Sequence, residues 1–354
     1  MEVGPLLAVP PGERYKLVQS FLDKYREMTL EALLSYVPER EPRKYLYDLV
    51  SDYPVRGGKG FRPSLCLASC AAFGGDPLDA LRSAVSLELF HNAFLVHDDV
   101  EDGSEDRRGR PTMHAQFGIP IAVNVGDAMN VLSIRPLMDN LKHLGERLAW
   151  QVFTEIEHMV RESVEGQAME LGWVHENVID LQPQDYLRMI LKKTCWYTCI
   201  HPVRIGAIIG SDGEIDPDEF NRFGYYMGAS FQIQDDILNL YGEHKRYGKE
   251  IGGDIWEGKR TLILIHALNT CTPRQRERMR RFLSQPRVER SADDVRWVYR
   301  VFQECGSLEY SRSVARYLAG AALQEFADSF SGAKETPEKR FLEQIILYMI
   351  ERDL

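Results

Sequence analysis

A run of carboxylates closing an oily helix restricts this chain more than any other feature. From Leu87 to Asp102 the sequence reads LELFHNAFLVHDDVED. In a helix each residue advances the face by about 100°, which sets His91, Asp98 and Asp102 within about 20° of one line and Asp99 about 80° to the side. Leu87, Phe90, Ala93, Phe94 and Leu95 make the preceding turns too apolar for a solvated surface, so the acidic cluster ends a buried segment. There the carboxylates repel one another and the C-terminal helix dipole opposes them. Something cationic must compensate. Oxygen-only ligands on successive turns suit a hard ion such as Mg²⁺, which takes one or two carboxylates and completes its octahedron with water and substrate phosphates.

A second acidic stretch answers the first. Phe231 to Asn239 reads FQIQDDILN, and Asn239 stands four residues after Asp235 and three after Asp236, so the three oxygen-bearing side chains share a helical face. One such pair alone is also compatible with a cap or a solvated face. Two pairs, each closing an apolar helix and each followed by basic residues, are poorly explained as surface decoration. The basic residues sit in loops with chemistry of their own. RGGKGFRP, residues 56 to 63, combines glycines that let the backbone approach an anion with Lys59, Arg62 and Arg56; its bland reading is a flexible turn. SEDRRGRPTMH places Arg107 and Arg108 beside the first carboxylates, either as surface ion pairs or as a guanidinium pair that grips a diphosphate bidentately. Lys192, Lys193 and Thr194 interrupt an apolar run, and a lysine there must snorkel or meet an anion, which makes Lys193 a site candidate. A further glycine-rich loop, residues 246 to 261, carries Lys249, Lys259 and Arg260.

Helical spacing covers nearly the whole chain, with helices expected at 14–37, 41–53, 63–73, 77–102, 120–141, 145–170, 184–210, 217–241, 261–270, 273–284, 292–305, 307–330 and 336–352. Strand-like alternation is absent. The expected fold is all-α, a single large many-helix bundle with both acidic helix ends facing one central cavity. At 354 residues and 44% hydrophobic the chain can bury a large core, and with no Gly/Ser/Pro-rich linker it reads as one domain, residues 1–13 forming a flexible N-terminus. A net charge of −10 argues against nucleic acid as partner, and no apolar run approaches the roughly 20 residues of a membrane span. The start, MEVGPLLAVPP, lacks a basic n-region and a long apolar core. Cys66/Cys70 and Cys195/Cys199 are spaced i, i+4 in apolar helices, while Cys271 and Cys305 stand apart. These are expected to be free thiols in a reducing compartment, and the chain reads as cytoplasmic.

Taken in order, GGKxxRP, HNxxLxHDDxxD with RRG after it, FQxxDDxxN and GxDxxEGK resemble the trans-isoprenyl diphosphate synthases across roughly residues 15 to 350. Asn239, where many members have Asp, and DDVED without an insertion resemble the geranylgeranyl diphosphate synthases of eukaryotic type. The resemblance implies head-to-tail condensation of isopentenyl diphosphate with an allylic diphosphate in a homodimer. It implies three Mg²⁺ ions held between Asp98, Asp99 and Asp102 on one side and Asp235, Asp236 and Asn239 on the other. Arg107, Lys193, Lys249 and Lys259, with Thr194 and Gln232 nearby, would grip the allylic diphosphate. Lys59, Arg62, His91 and Arg108 would bind that of isopentenyl diphosphate. Two departures stand out: Gly60 replaces a basic residue common in the family, and Cys195 replaces the glycine that usually follows Lys-Thr.

Product length is expected to be measured along the first acidic helix. Phe94 lies one turn and Phe90 two turns below Asp98, each turn rising about 5.4 Å, close to one isoprene unit. Ala93 opens space where shorter-product enzymes carry an aromatic. Ala93 with Phe90 favours a C20 product, and Phe94 favours C15. The competing readings are a farnesyl or geranylfarnesyl synthase, a class I terpene cyclase, which needs no second diphosphate site, and a silent subunit of another prenyl synthase.

Overall fold

The apolar spacing that begins at Tyr15 forms α1 (Lys16–Ser35) in the computed structural model, which describes residues 15–241 and 252–351. Val18, Phe21, Leu22, Tyr25 and Leu33 lie on its buried face. α2 (Phe61–Ala72) has no wet face, only Ala71 escaping burial, which places it at the centre of the bundle. α3 (Pro77–Asp102) starts where the Asp76 carboxylate accepts the Leu78 N–H at 2.9 Å and proline occupies the first turn. Such a cap contributes about 1 kcal/mol. Gly103, in left-handed conformation, ends the helix just past its last carboxylate.

The 41–53 segment divides into short turns on either side of Ser51, and two of the longer helices expected as uniform change at a proline. The 120–141 segment divides into α4 (Ile119–Leu132) and α5 (Ile134–His143), because Pro136 cannot donate to the Leu132 carbonyl and its ring crowds that turn. The 184–210 segment is α7 (Pro183–Ile190), a π-helical stretch (Leu191–Ile200) and α8 (His201–Gly210), preceded by the long α6 (Glu146–His175). Pro202 bears the same relation to Thr198, and the turns before it widen to accommodate the ring. The 217–241 segment resolves into a short turn and α9 (Asn221–Tyr241). There follow α10 (Leu262–Thr270), α11 (Pro273–Leu283), α12 (Ala292–Glu304), α13 (Ser307–Ser329) and α14 (Pro337–Glu351). Extended pairing among the described residues is limited to Asp106–Arg107 against Arg110–Pro111, a ribbon that turns the chain after α3.

α2 lies along α8 and α3, and α9 along α13. One core cluster joins α1, α2, α3 and α8, and a second joins α7, α9, α10, α12 and α13. α9 contributes to both, and the ends of α3 and α9 that carry the carboxylates open onto the space between them. No described helix is long and apolar enough to cross a membrane. Cys66, Cys70, Cys195 and Cys199 are buried free thiols; Cys271 and Cys305 are half-buried and free.

Candidate active site

A cavity of about 690 Å³ is walled by α3, α6, the π-helical stretch and α9. It collects most of the candidates from the sequence: Lys59, Arg62, His91, Phe94, Asp98, Arg107, Arg108, Lys193, Thr194, Gln232, Asp235, Asp236, Asn239 and Lys259 all line it. Lys249 lies outside the described residues. Asp99, Asp102, Phe90 and Ala93 are not on the wall.

The acidic end of α3 divides by face. Asp98 receives Lys193 Nζ at 3.3 Å and Gln167 Nε2 at 3.4 Å, and Arg107 stands 3.7 Å away. Asp102 accepts Lys259 Nζ at 2.6 Å. Burial and the neighbouring Asp98 raise the Asp102 carboxyl to about 7, against the pull of Lys259. Asp99 turns the other way and is fully buried. Arg107 grips it with Nε, at 3.0 and 3.1 Å from the two oxygens, and with Nη2; the Tyr53 hydroxyl donates to it at 2.7 Å. Tyr53 in turn accepts the Met113 N–H at 3.0 Å. Asp99 thus braces the RRG turn rather than the cavity, and Arg107, expected as a diphosphate grip, is already engaged by a carboxylate.

The π-helical stretch delivers Lys193 and Thr194. α6 can press against it because Gly166 has no side chain: a Cβ there would stand 2.2 Å from the Lys193 nitrogen. Lys193 Nζ also bonds Glu170, and although burial opposes its charge, Glu170 and Asp98 hold its pKa above the ordinary lysine value. From the same stretch toward α9, Thr194 Oγ1 donates to Gln232 Oε1 at 2.9 Å and Gln232 Nε2 donates to Asp236 Oδ1 at 2.8 Å. Tyr186 completes this chain by donating to Asp236 Oδ2 at 2.7 Å. Burial nevertheless pushes the Asp236 carboxyl up to about 6. Asn239 uses its side-chain oxygen to accept the Asp254 N–H at 3.1 Å and its carbonyl to accept the Gly252 N–H at 2.8 Å. In this arrangement it staples the 252–258 loop to α9.

A second cationic group lines the same cavity. Arg62, buried, donates to Thr198 Oγ1 at 2.8 Å and stacks 4.2 Å over the Tyr197 ring. Arg108 Nη1 donates to the Tyr53 carbonyl at 2.8 Å. Lys59 lies on the wall near Phe61. Burial, with Arg62 and Arg108 nearby, holds His91 well below the ordinary histidine pKa. Its buried Nδ1 has no hydrogen-bond partner among the described residues. Glu88 faces these cations; burial raises its carboxyl while Arg108 and Arg62 pull it back.

Sequence reasoning missed Glu88, Gln167, Glu170, Tyr186 and Tyr197, all on the cavity wall. Glu88 and His91 are spaced i, i+3, as are Gln167 and Glu170, and polar pairs on otherwise buried faces were a usable signal. Tyr186 and Tyr197 carried none. Phe94 borders the cavity with Phe90 stacked behind it, ring centroids 6.4 Å apart, and Tyr197 meets Phe94 edge-on at 5.7 Å. Ala93 faces Tyr53, Val125 and Met129 in a separate apolar cluster, so the space it was expected to open lies away from the cavity.

The polyprenyl synthetase family model matches residues 43–302. The chain belongs to this family. It is 32% identical over 299 residues to a short chain isoprenyl diphosphate synthase of Methanothermobacter thermautotrophicus, covering 84% of this chain and 88% of that protein. It is 32% identical over 343 residues to a geranylgeranyl pyrophosphate synthase of Geoglobus acetivorans, covering 95% and 100%. The geranylgeranyl pyrophosphate synthetase structure from Pyrococcus horikoshii superposes with a TM-score of 0.83 at 30% identity, covering 96% of this chain and all of that one. The isoprenoid-synthase fold expected from the sequence is therefore this chain's fold, and the chain is a prenyltransferase.

Proposed function

We propose that the enzyme condenses isopentenyl diphosphate head-to-tail with an allylic diphosphate and releases all-trans geranylgeranyl diphosphate. The observation that carries this reading is the pair of cationic groups sharing one cavity, Lys193 and Lys259 beside the carboxylates and Lys59, Arg62 and Arg108 beside His91. Two anionic substrates need two such groups, whereas a cyclase needs one. The carboxylates fit Mg²⁺. The donors are hard oxygens, and burial, with Asp98 beside Asp102 and Glu170 beside Asp236, raises both carboxyls, which a nearby cation would lower. Asp98, Asp102, Asp235 and Asp236 would hold the ions, three by family resemblance, while Asp99 and Asn239 act as braces. Bound there, Mg²⁺ would supply positive charge against the allylic diphosphate.

Lys193 and Lys259 stabilise negative charge growing on the departing diphosphate as the allylic C–O bond breaks, with the Thr194–Gln232–Asp236 chain fixing donor directions. Arg62, Arg108, Lys59 and His91 hold the second diphosphate so that its alkene faces the allylic carbon. The new C–C bond forms from the alkene pair, and the proton lost from the adjacent carbon goes to the released diphosphate. The geranylgeranyl synthases among its relatives support a C20 product; Phe94, on the wall with Phe90 behind it, is the ring the sequence tied to C15, so the product assay decides between the two lengths.

The chain is further read as one domain, working in the cytoplasm as a homodimer. Unpaired buried cysteines support the compartment. The dimer is supported by large apolar side chains exposed along α4 to α6, among them Val131, Ile134, Met138, Leu141, Trp150 and Phe153. The deciding experiment incubates enzyme, Mg²⁺ and isopentenyl diphosphate with dimethylallyl, geranyl or farnesyl diphosphate, then weighs the dephosphorylated products. A C20 alcohol is expected. A C15 or C25 alcohol would revise the length alone, a cyclic hydrocarbon made without isopentenyl diphosphate would replace the reading with a cyclase, and no turnover would leave a silent subunit.

A further inference from the structure

Lys259 reaches Asp102 from the end of a short glycine-bounded turn. Gly252 and Gly258, at φ +71° and +70°, bracket a helix of little more than one turn, Gly253–Glu257. Its leading end is tied to Asn239, as described above. Its trailing end presents the unpaired carbonyls that any helix C-terminus leaves over.

Those carbonyls converge on Arg290, which precedes α12 and lies outside the cavity wall. Arg290 Nη1 donates to the carbonyls of Ile255, at 3.4 Å, and Trp256, while Nη2 donates to the Leu283 carbonyl at the end of α11, at 3.2 Å. One guanidinium therefore caps two helix C-termini at once, where backbone dipoles favour a cation. Its planar fork can address both, which a lysine ammonium on a single stem cannot. Arg290 is only 8% exposed, and its guanidinium carbon lies 5.0 Å from the centre of the Phe282 ring. Gly258 leaves it room, since a Cβ there would stand 2.9 Å from the guanidinium nitrogens. Arg260 helps from the other side, donating to the carbonyls of Gly258 and Val178 and to Asn177 Oδ1.

We propose that Arg290 is a positioning residue for the allylic-diphosphate site: by capping the Gly253–Glu257 turn it fixes Lys259 against Asp102 and Glu257. Lys259 Nζ stands 2.6 Å from Asp102 and 3.1 Å from Glu257. Glu257 is held in turn by Ser104 at 3.2 Å and Arg287 at 3.4 Å. Losing the cap frees the loop, and a displacement of about 1 Å in a charge-stabilising group can cost a hundredfold in rate. The proposal rests on the condensation reading above.

The test compares Arg290→Met, Arg290→Lys and Arg290→Ala with the wild type. Circular dichroism and thermal melting establish the folded fraction, and all rates are expressed per folded enzyme. Arg290→Met is expected to lose tenfold or more in kcat, on the order allowed by such a displacement, and to raise KM for the allylic substrate while leaving KM for isopentenyl diphosphate unchanged. Arg290→Lys should recover part of the loss, and millimolar guanidinium should rescue Arg290→Ala but not the wild type. Calorimetric titration of geranyl diphosphate with Mg²⁺, without isopentenyl diphosphate, should show the same weakened affinity independently of turnover. Wild-type kinetics and affinity in Arg290→Met would overturn the proposal, as would a loss confined to the folded fraction with both KM values unchanged and no rescue. A wild type that binds geranyl diphosphate but makes no condensation product would instead defeat the functional reading, and weakened binding in Arg290→Met would still uphold the positioning role.

Discussion

Asp99 provides the sharpest test of which carboxylates are ligands and which are braces. Its side chain is fully buried, and both oxygens are engaged by Arg107, itself only 10% exposed, and by the Tyr53 hydroxyl. Arg107 in turn is held above the ordinary arginine pKa; burial opposes its charge, but Asp99 outweighs the burial. Asp99→Asn removes the nearer of the two carboxylates beside that buried guanidinium and leaves only Asp98 at 3.7 Å, a loss worth up to about 3–5 kcal/mol. Tyr53→Phe removes a hydrogen bond to a charged group and leaves the Met113 N–H without its acceptor, worth about 1.5–3 kcal/mol. Because both changes strike one network, the double variant should lose less than the sum. Asp98→Asn is the contrast: its carboxylate lines the cavity and shares Lys193 with Glu170, so the stability loss should be smaller than for Asp99→Asn while the Mg²⁺ concentration for half-maximal turnover rises. Urea denaturation and Mg²⁺ titration of the initial rate, run on all four variants, separate the two effects. An Asp99→Asn enzyme as stable as the wild type, with its Mg²⁺ dependence displaced like that of Asp98→Asn, would refute the brace and return Asp99 to the metal ligands.

Other consequences are equally direct. Phe94→Ala should lengthen the product by about one isoprene unit, one helical turn of added depth. Phe90→Ala alone should not, because Phe94 still covers it; mass analysis of the alcohols decides. Ala93→Phe should cost about 1–3 kcal/mol by overpacking the cluster around Val125 and Met129 without shortening the product, which thermal melting and the same product assay will show. In α6, burial alone would raise the Glu155 carboxyl, but hydrogen bonds from His201 and Arg204 bring it from an ordinary 4.5 down to about 2. Its contribution is therefore complete above about pH 4.5 and lost as the pH falls toward 2. Glu155→Gln should remove about 3 kcal/mol at neutral pH and flatten the acid limb of the stability curve in that window. Met138→Glu with Val131→Glu, on the exposed apolar strip, tests the proposed homodimer: by light scattering the wild type should run as a dimer and the variant as a monomer, and equal masses would refute the proposed contact.

The sequence made helices legible because apolar residues at intervals of three and four persist through nearly every element. That same periodicity hid the breaks. Apolar spacing runs on through Pro136 and Pro202, and only the missing N–H and the ring's crowding of the preceding carbonyl show that α4 must part from α5 and that the turns before α8 must widen. The consequence of the second break is chemical, since the widened stretch is where Lys193 and Thr194 enter the cavity.

Angular arithmetic was sound but lacked an origin. It correctly set Asp99 about 80° away from the line of Asp98 and Asp102, yet nothing local showed that the cavity lay on one side of α3 and Tyr53 with Arg107 on the other. The same gap misplaced Ala93, one residue and therefore about 100° from Phe94, on a wall it does not reach. A motif read as letters assigns all its carboxylates to one role. Burial divides them: a carboxylate enclosed with its own guanidinium, as Asp99 is with Arg107, has its charge already matched, whereas Asp102 remains strained despite Lys259. On the proposed reading the ions fall to Asp98 and Asp102, and the motif alone does not show which of its carboxylates the fold has paired with a guanidinium.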